Sequence, residues 1–342
     1  MLHSTDYVIP PGSLILVTGA NGYIASHTID ILLQRGYKVR GTVRTAKPWL
    51  DRYFTEHYGE GRFESIIIPM LDELDMCRRA MQNVSGVLHV ASDMSFNSDP
   101  NAVIPWVKRV TIHLLEAAAS QLSVTRFVLT SSSTAALLPT PGQKTIVDEN
   151  TWNEVSVHAA WDESTPPETR AYHIYSAAKT EQEREGWRWV RERKPRFEFS
   201  TVVPNSNFGR VLHPQIAGSS MIRMRNLLRG DGSVMDEFPP PEWYVNVEDT
   251  ARLHVIALLS PAVKGERIFA FASEFNWTDV VSILRRLRPD NALIPDPPAN
   301  EGRDASEILP SRRAEDLLRE FYGQPGWISL EETIAAGIED VP

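Results

Sequence analysis

Leu14-Ile15-Leu16-Val17-Thr18-Gly19-Ala20-Asn21-Gly22-Tyr23-Ile24-Ala25 is the stretch that decides the fold. Its four leading apolar residues, bounded by Gly12 and Gly19, predict a short buried strand. Gly19, Gly22 and Ala25 follow at the spacing of a dinucleotide-binding turn. In such a turn the first glycine allows the tight strand-to-helix bend. The second lets the backbone approach a pyrophosphate, and the small third residue lets helix and strand pack closely. The pyrophosphate then sits on the helix N-terminus, where free N–H groups and the helix dipole favour an anion. A strand before the glycines and a helix after them are the context this motif requires. Thr18, Gly19, Asn21, Gly22, Tyr23 and Ile24 are therefore candidate cofactor contacts.

Working outward, residues 23–35 predict a helix with Ile24, Ile29 and Leu32-Leu33 inward and Gly36 as its stop. Tyr37 to Val43 reads as a second strand. The alternation continues: Phe63 to Ile68 strand, 73–83 helix, Val84 to Ala91 strand, 102–120 helix, Arg126 to Thr130 strand, 171–193 helix, Phe199 to Val203 strand. Strands alternating with helices predict an α/β fold of Rossmann type, a doubly wound parallel sheet with helices on both faces. The segment 139–170 reads as a long surface excursion. After about residue 204 the rhythm breaks, at Pro239-Pro240-Pro241 and again at Pro289, Pro295, Pro297 and Pro298. Residues 1–203 are therefore expected to be mainly the dinucleotide-binding domain. Residues 204–342 are expected to be mainly a smaller, irregular substrate-binding lobe that returns one strand, at about 268–272, to the sheet.

The second strand bears on which nicotinamide is bound. NAD sites place an acid about 20 residues beyond the glycines for the ribose 2′-hydroxyl; NADP sites place an arginine nearby. Residues 37–50 contain no acid but carry Lys38, Arg40, Arg44 and Lys47. Arg44 stands at the strand end, where a planar guanidinium can grip a 2′-phosphate, with Lys47 close behind. NADP is the expected cofactor, and residues 1–203 its domain.

Tyr175 and Lys179 lie four apart and share a helix face. A free tyrosine, with pKa about 10, is a poor acid at neutral pH. A neighbouring ammonium lowers that pKa, so the phenol can give its proton to a carbonyl oxygen as hydride reaches the carbon. The small residues between them in Tyr175-Ser176-Ala177-Ala178-Lys179 leave room for a flat cofactor. A third partner is expected at the tip of the strand Phe127-Val128-Leu129-Thr130, among Ser131, Ser132 and Ser133. Side chains alternate in extended backbone, so Ser131 and Ser133 are expected to face away from Ser132 unless the chain turns sharply there.

The bulk composition sets limits. The chain has 342 residues, 42% hydrophobic and 23% charged, with a formal net charge of −9. That charge argues against nucleic acid or an anionic membrane as partner. Cys77 is the only cysteine, so no intrachain disulfide is possible and a reducing compartment is expected. Met1-Leu2-His3-Ser4-Thr5-Asp6 lacks the charged and apolar regions of a signal peptide. No run of 18 apolar residues is present. A cytoplasmic address, no metal, and a monomer or homodimer are the expectations.

These motifs together resemble the extended short-chain dehydrogenases/reductases. More narrowly, the chain resembles the fungal NADPH-dependent aldehyde and ketone (carbonyl) reductases, akin to the plant dihydroflavonol and cinnamoyl-CoA reductases. The likeness is carried by Leu16 to His27, Gly36 to Arg44, His89-Val90-Ala91-Ser92, Arg126 to Ser132, Tyr175 to Lys179, Val203-Pro204-Asn205 and Tyr244 to Asp249. It implies Ser132, Tyr175 and Lys179 as catalytic residues, with Tyr175 and Lys179 also touching the cofactor. It implies Arg44 at the 2′-phosphate, Ala91 and Ser92 beneath the nicotinamide ribose, and Pro204 and Asn205 beside the carboxamide. In one respect the chain departs from the pattern: Pro69 stands where relatives usually carry an adenine-contacting Asp, with Asp72 nearby.

Met94, Phe96, Phe208, Met221, Met224 and Trp243 form a candidate apolar substrate wall, with Ser133 at its edge. Such a wall suits aldehydes and ketones of aryl or alkyl type, keto esters included, as small-molecule carbonyl substrates. A sugar-nucleotide epimerase or dehydratase of the same fold is the competing enzyme reading. The missing acid on the second strand counts against it. A non-catalytic NADP-binding sensor is a further alternative, weakened by the presence of both Tyr175 and Lys179.

Overall fold

The computed structural model describes residues 6–218, 220–237 and 242–341. The proline triplet 239–241 lies outside them. In chain order the elements of the first half are β1 (Leu14–Val17), α1 (Tyr23–Gln34), β2 (Lys38–Val43), α2 (Pro48–Tyr58), β3 (Phe63–Ile67), α3 (Leu74–Ala80), β4 (Val84–His89), α4 (Pro100–Ala119) and β5 (Arg126–Thr130). Then come β6 (Ile146–Val147), α5 (Glu154–Trp161), α6 (Pro167–Arg193), β7 (Glu198–Pro204), β8 (Ser206–Phe208), α7 (Met221–Leu227) and α8 (Val234–Glu237). The chain closes with β9 (Glu242–Asn246), α9 (Val247–Leu259), β10 (Arg267–Ala270), β11 (Ser273–Phe275), α10 (Trp277–Leu287), β12 (Glu307–Ile308), α11 (Ser311–Tyr322) and α12 (Leu330–Gly337).

Seven strands form one sheet in the order β10-β7-β5-β4-β1-β2-β3, and every pair in it is parallel. From β1 the chain winds outward through β2 to β3, then crosses back to β4 on the other side of β1. That reversal opens a crevice at the carboxyl ends of β1 and β4, the place where such sheets bind ligands. Helices cover both faces, so the central strands read as continuous apolar runs: Ile15, Leu16, Val17, Phe127, Val128 and Leu129 are all buried. Each such side chain contributes about 1.5–3 kcal/mol of transfer free energy.

Two glycines are demanded by this packing. Gly19 has φ +69, and a Cβ there would meet the Ala91 backbone and side chain at 3.1 and 3.2 Å. Gly41 lies under the turn, where a Cβ would fall 2.5 Å from the Ala20 Cβ and 2.9 Å from the Phe63 ring. β2 can pass beneath the glycine turn because it carries no side chain at that point.

Several elements have weak sequence signals. α2 follows Pro48 at its first position and buries Leu50 and Phe54 one turn apart. The segment 139–170 is not a bare excursion: it contains α5, and β6 pairs with β12. In α1 it is Tyr23 that is buried, while Ile24 is only half-buried. The returning strand is β10, at 267–270, paired with β7.

The stretch beyond residue 204 is less separate than its irregular sequence suggests. α9 and α11 pack on the main sheet's core through Leu253, Val255, Ile256, Leu317, Leu318 and Phe321. A second core holds Phe208, Met221, Met224, Leu227, Phe275, Trp277 and Val280. Its helices α10 and α12 begin with reciprocal caps, Asn276 with Asp279 and Ser329 with Glu332, a pattern that satisfies two free N–H groups at once. Among the described residues no helix is long and apolar enough to cross a membrane.

Candidate active site

The crevice gathers the strand tips. Thr18 and Gly19 follow β1, Arg44 follows β2, Ala91 and Ser92 lie just beyond β4, Ser131 and Ser132 follow β5, and Pro204-Asn205 end β7. The register of a parallel sheet brings together strand tips that lie as far apart in the chain as Thr18 and Asn205.

The glycine turn is built for an anion. Gly22 caps α1 with no side-chain hydrogen bond, and the first turn carries no acid. The leading N–H groups of α1 thus lack a side-chain acceptor, and the dipole favours negative charge. Not every residue of the loop faces this space. The Thr18 hydroxyl is committed to the scaffold: it pairs with His89 Nδ1 at 2.8 Å and accepts from the Val90 and Ala91 amides at 3.0 Å each. The Tyr23 side chain turns the other way and donates to the Gly209 carbonyl at 2.7 Å. Both side chains are therefore corrected from cofactor contacts to struts, because burial forces each polar group to find a protein partner.

Arg44 is exposed at the end of β2. Its neighbour on the strand, Arg40, is spent on Glu64 at 2.7 Å and the Ala80 carbonyl at 2.8 Å. Lys47 caps the start of α2 by position, without a side-chain bond. The nearest acid beyond the strand, Asp51, is held by the Ser65 amide and hydroxyl at 2.8 and 2.6 Å. Pro69 is exposed, and Asp72 is engaged by Arg109 at 3.2 Å.

The Ser132 hydroxyl faces the Tyr175 phenol. It caps the 3₁₀ turn Ser133–Ala135 and accepts from the Thr134 amide at 3.3 Å and the Thr134 hydroxyl at 3.0 Å. Ser131 points elsewhere, donating to Glu183 at 2.6 Å. The chain turns sharply at Ser133, which is buried in the 3₁₀ turn.

Burial raises the Tyr175 pKa above its usual 10; the hydrogen bond with Ser132 opposes this and the charge of Glu242 adds to it. The ammonium-driven lowering expected from the sequence does not prevail. Lys179 is buried and turns to the Thr130 carbonyl at 3.3 Å. Burial brings its pKa down to about 8, against the charges of Glu183 and Asp93. At neutral pH the Tyr175 phenol is thus protonated, and the Lys179 amine, one helical turn on and turned to Thr130, is charged.

Around this centre Phe96 stands with its ring 5.1 Å from that of Tyr175, at a backbone φ of +48. Met94 is 53% exposed on the same loop. Tyr172 lies 6.4 Å ring to ring from Tyr175. Glu242, at the start of β9, was not anticipated. It accepts from Ser206, and burial raises its pKa. Only tertiary structure carries β9 to this side of Tyr175. Phe208, Met221 and Met224 are sealed in the second core, at most 1% exposed, and present no surface to a substrate. Trp243 packs on Phe271 at 6.0 Å and lines a polar groove with Glu274, Asp304 and Arg312, which contains none of Ser132, Tyr175 and Lys179.

Two histidines brace the strand ends in neutral form. Burial lowers His89 to about 3 and His254 to about 4; His254 bonds the Thr130 hydroxyl at 2.7 Å. In the unfolded chain a histidine titrates near 6.5. The folded state therefore binds fewer protons in between. The stability these groups contribute is present above about pH 6.5 and is lost as pH falls toward the folded pKa values. Denaturant titrations should show a stability drop on the order of 2 kcal/mol per histidine from pH 7 to pH 5. His254→Gln should shallow that slope by about one proton; an unchanged slope would contradict the assignment.

Known proteins resemble this chain over nearly all of its length. Residues 15–270 match the family described as NAD dependent epimerase/dehydratase. The ketoreductase nvfG of Aspergillus novofumigatus is 46% identical over 335 residues, covering 97% of each chain. Aldehyde reductase 2 of Sporidiobolus salmonicolor is 36% identical over 339 residues, covering 96% of this chain and 95% of its own. Among solved structures, Gre2 of Candida albicans in complex with NADPH superposes with a TM-score of 0.80 at 22% identity, covering 96% of this chain and 98% of its own. The parallel sheet, its glycine turn and the full-length match to relatives lead to one conclusion: the chain belongs to the NAD dependent epimerase/dehydratase family, the extended short-chain dehydrogenases/reductases.

Proposed function

We propose that this protein reduces aldehydes and ketones to alcohols with NADPH. The observation that carries the reading is the convergence of Ser132, Tyr175 and Lys179 at the carboxyl edge of the sheet, beside an uncapped α1 N-terminus and an exposed Arg44. Relatives named as a ketoreductase and an aldehyde reductase support it. The residues present fit the cofactor: the α1 amides and Gly19 would hold the pyrophosphate, Arg44 and Lys47 the 2′-phosphate, Ala91, Ser92 and Lys179 the ribose side, and Pro204 with Asn205 the carboxamide.

When bound, NADPH supplies the hydride that reaches the carbonyl carbon. The protein handles the oxygen. Ser132, whose oxygen already accepts from Thr134, donates its own proton in a hydrogen bond to the carbonyl. Tyr175 gives up its phenolic proton to that oxygen as negative charge develops. The Lys179 ammonium stabilises the phenolate left behind. The phenol is loaded with its proton at neutral pH, and the charge of Lys179 offsets the rise that burial imposes on its pKa once the phenolate begins to form. Phe96 and Met94 offer an apolar flank to aryl or alkyl substituents.

An assay of NADPH consumption over aldehydes, α-keto esters and aryl ketones tests the proposal. Turnover of none of them would overturn it. Cofactor preference rests on Arg44. A charge-assisted bond to a phosphate contributes about 1.5–3 kcal/mol. Arg44→Ala should therefore lower the kcat/KM ratio of NADPH over NADH by roughly 10- to 100-fold. Equal use of both cofactors by the wild type, or an unchanged ratio in the variant, would refute the assignment.

A further inference from the structure

Tyr175, Lys179 and Glu183 succeed one another at four-residue intervals, so they line one face of α6. The third of them has no part in the chemistry above and is completely buried. Its carboxylate is saturated with donors: the Ser131 hydroxyl at 2.6 Å, the Thr201 hydroxyl at 2.6 Å, Arg267 Nε and Nη2 at 2.8 and 3.2 Å, and the Trp187 indole at 3.3 Å. Arg267 in turn lies 3.8 Å over the Trp152 ring and donates to the Glu149 and Thr151 carbonyls at 2.7 and 3.0 Å. Burial alone would raise the Glu183 pKa, but the Arg267 charge and these hydrogen bonds bring it below the usual value. The group is a fixed negative charge inside the protein.

We propose that Glu183 is a positioning residue for the reaction. Its carboxylate supplies the counter-charge to the Lys179 ammonium and, by holding Ser131, sets the turn that presents Ser132 to Tyr175. This rests on the catalytic reading of Ser132, Tyr175 and Lys179. Around Lys179, α6 contributes Tyr175 and Glu183, β4 contributes neutral His89, the loop after β4 contributes Asp93, and β5 contributes only the Thr130 carbonyl. Of the two anions Asp93 is partly open to water, which screens it; Glu183 is sealed, where a charge acts at lower dielectric. An ion pair between Glu183 and Arg267 is a poor way to gain stability, since desolvation consumes most of the attraction. A charge held next to the catalytic amine has a further effect that an apolar pair would lack.

Glu183→Gln keeps the shape and the oxygen that Ser131 needs but removes the charge. Lys179, now desolvated with Asp93 alone to favour its charged form, loses its proton at lower pH. The alkaline fall of the reductase kcat should move down by roughly one pH unit, with a rate loss of about threefold or more at pH 8 and little at pH 6.5. Titration of the Lys179 amine by ¹⁵N-lysine NMR, assigned with Lys179→Met, should move the same way. Arg267→Met breaks the same ion pair while sparing the negative charge, so it should destabilise comparably and move the Lys179 titration upward. A uniform rate loss with the Lys179 titration unmoved in Glu183→Gln would overturn the proposal and leave Glu183 a purely structural residue. If Glu183→Gln does not fold, an unmoved or lowered titration in Arg267→Met overturns it. The NMR titration decides this even if the wild type reduces no carbonyl compound, in which case the proposed function fails by itself.

Discussion

Tyr175→Phe is expected to abolish nearly all carbonyl reduction while leaving NADPH binding within a few-fold of wild type. The substitution deletes one oxygen and keeps the ring, so the packing of Phe96 and Tyr172 against it survives. What disappears is the proton donor. General acid catalysis contributes typically 10² to 10⁴ in rate, so kcat should fall by about that factor. In the proposed binding mode the cofactor is held by Arg44, the α1 N-terminus and Lys179, none of which depends on the phenol. Steady-state kinetics with an aldehyde substrate and a fluorescence titration with NADPH separate the two effects. A kcat loss below about tenfold would remove Tyr175 from the donor role. A loss of NADPH binding equal to the loss of rate would make it a binding residue instead.

Ser132→Ala should cost roughly 10²-fold in kcat, comparable to deleting one donor from an oxyanion site. Its two neighbours should behave differently, for reasons the hydrogen bonds make plain. Ser131→Ala removes a donor from the buried Glu183 carboxylate, so its main cost should be stability, about 1–3 kcal/mol for an acceptor left short of a partner. Its rate should fall far less than that of Ser132→Ala. Ser133→Ala changes a residue of the 3₁₀ turn and should leave kcat near wild type while shifting substrate preference. Kinetics and thermal denaturation on the three single variants decide the matter. A large kcat loss in Ser133→Ala with Ser132→Ala near wild type would show the register misassigned by one residue.

The amino-acid sequence alone determined the alternating sheet. β1 is apolar throughout, and β5 and β7 carry apolar centres at 127–129 and 202–203, because both faces of the sheet are covered, and that signal is local. The glycine turn is legible for the same reason: Gly19 needs a positive φ and Gly22 begins a helix, both within four residues. The helical interval between Tyr175 and Lys179 puts the pair on one face without any tertiary information.

What the sequence could not decide is wherever a side chain answers to a distant partner. Tyr23 and Thr18 belong to a cofactor loop by position, yet their hydroxyls are claimed by Gly209 and His89, 186 and 71 residues away. Phe208, Met221 and Met224 have the composition of a pocket wall but close a second core, because apolar side chains read alike whether they face a ligand or one another. Glu242 and Glu183 resemble ordinary acids in the sequence. Only the folding of β9 toward Tyr175 and of Arg267 onto α6 gives them their partners, Ser206 for Glu242 and the sealed Arg267 for Glu183.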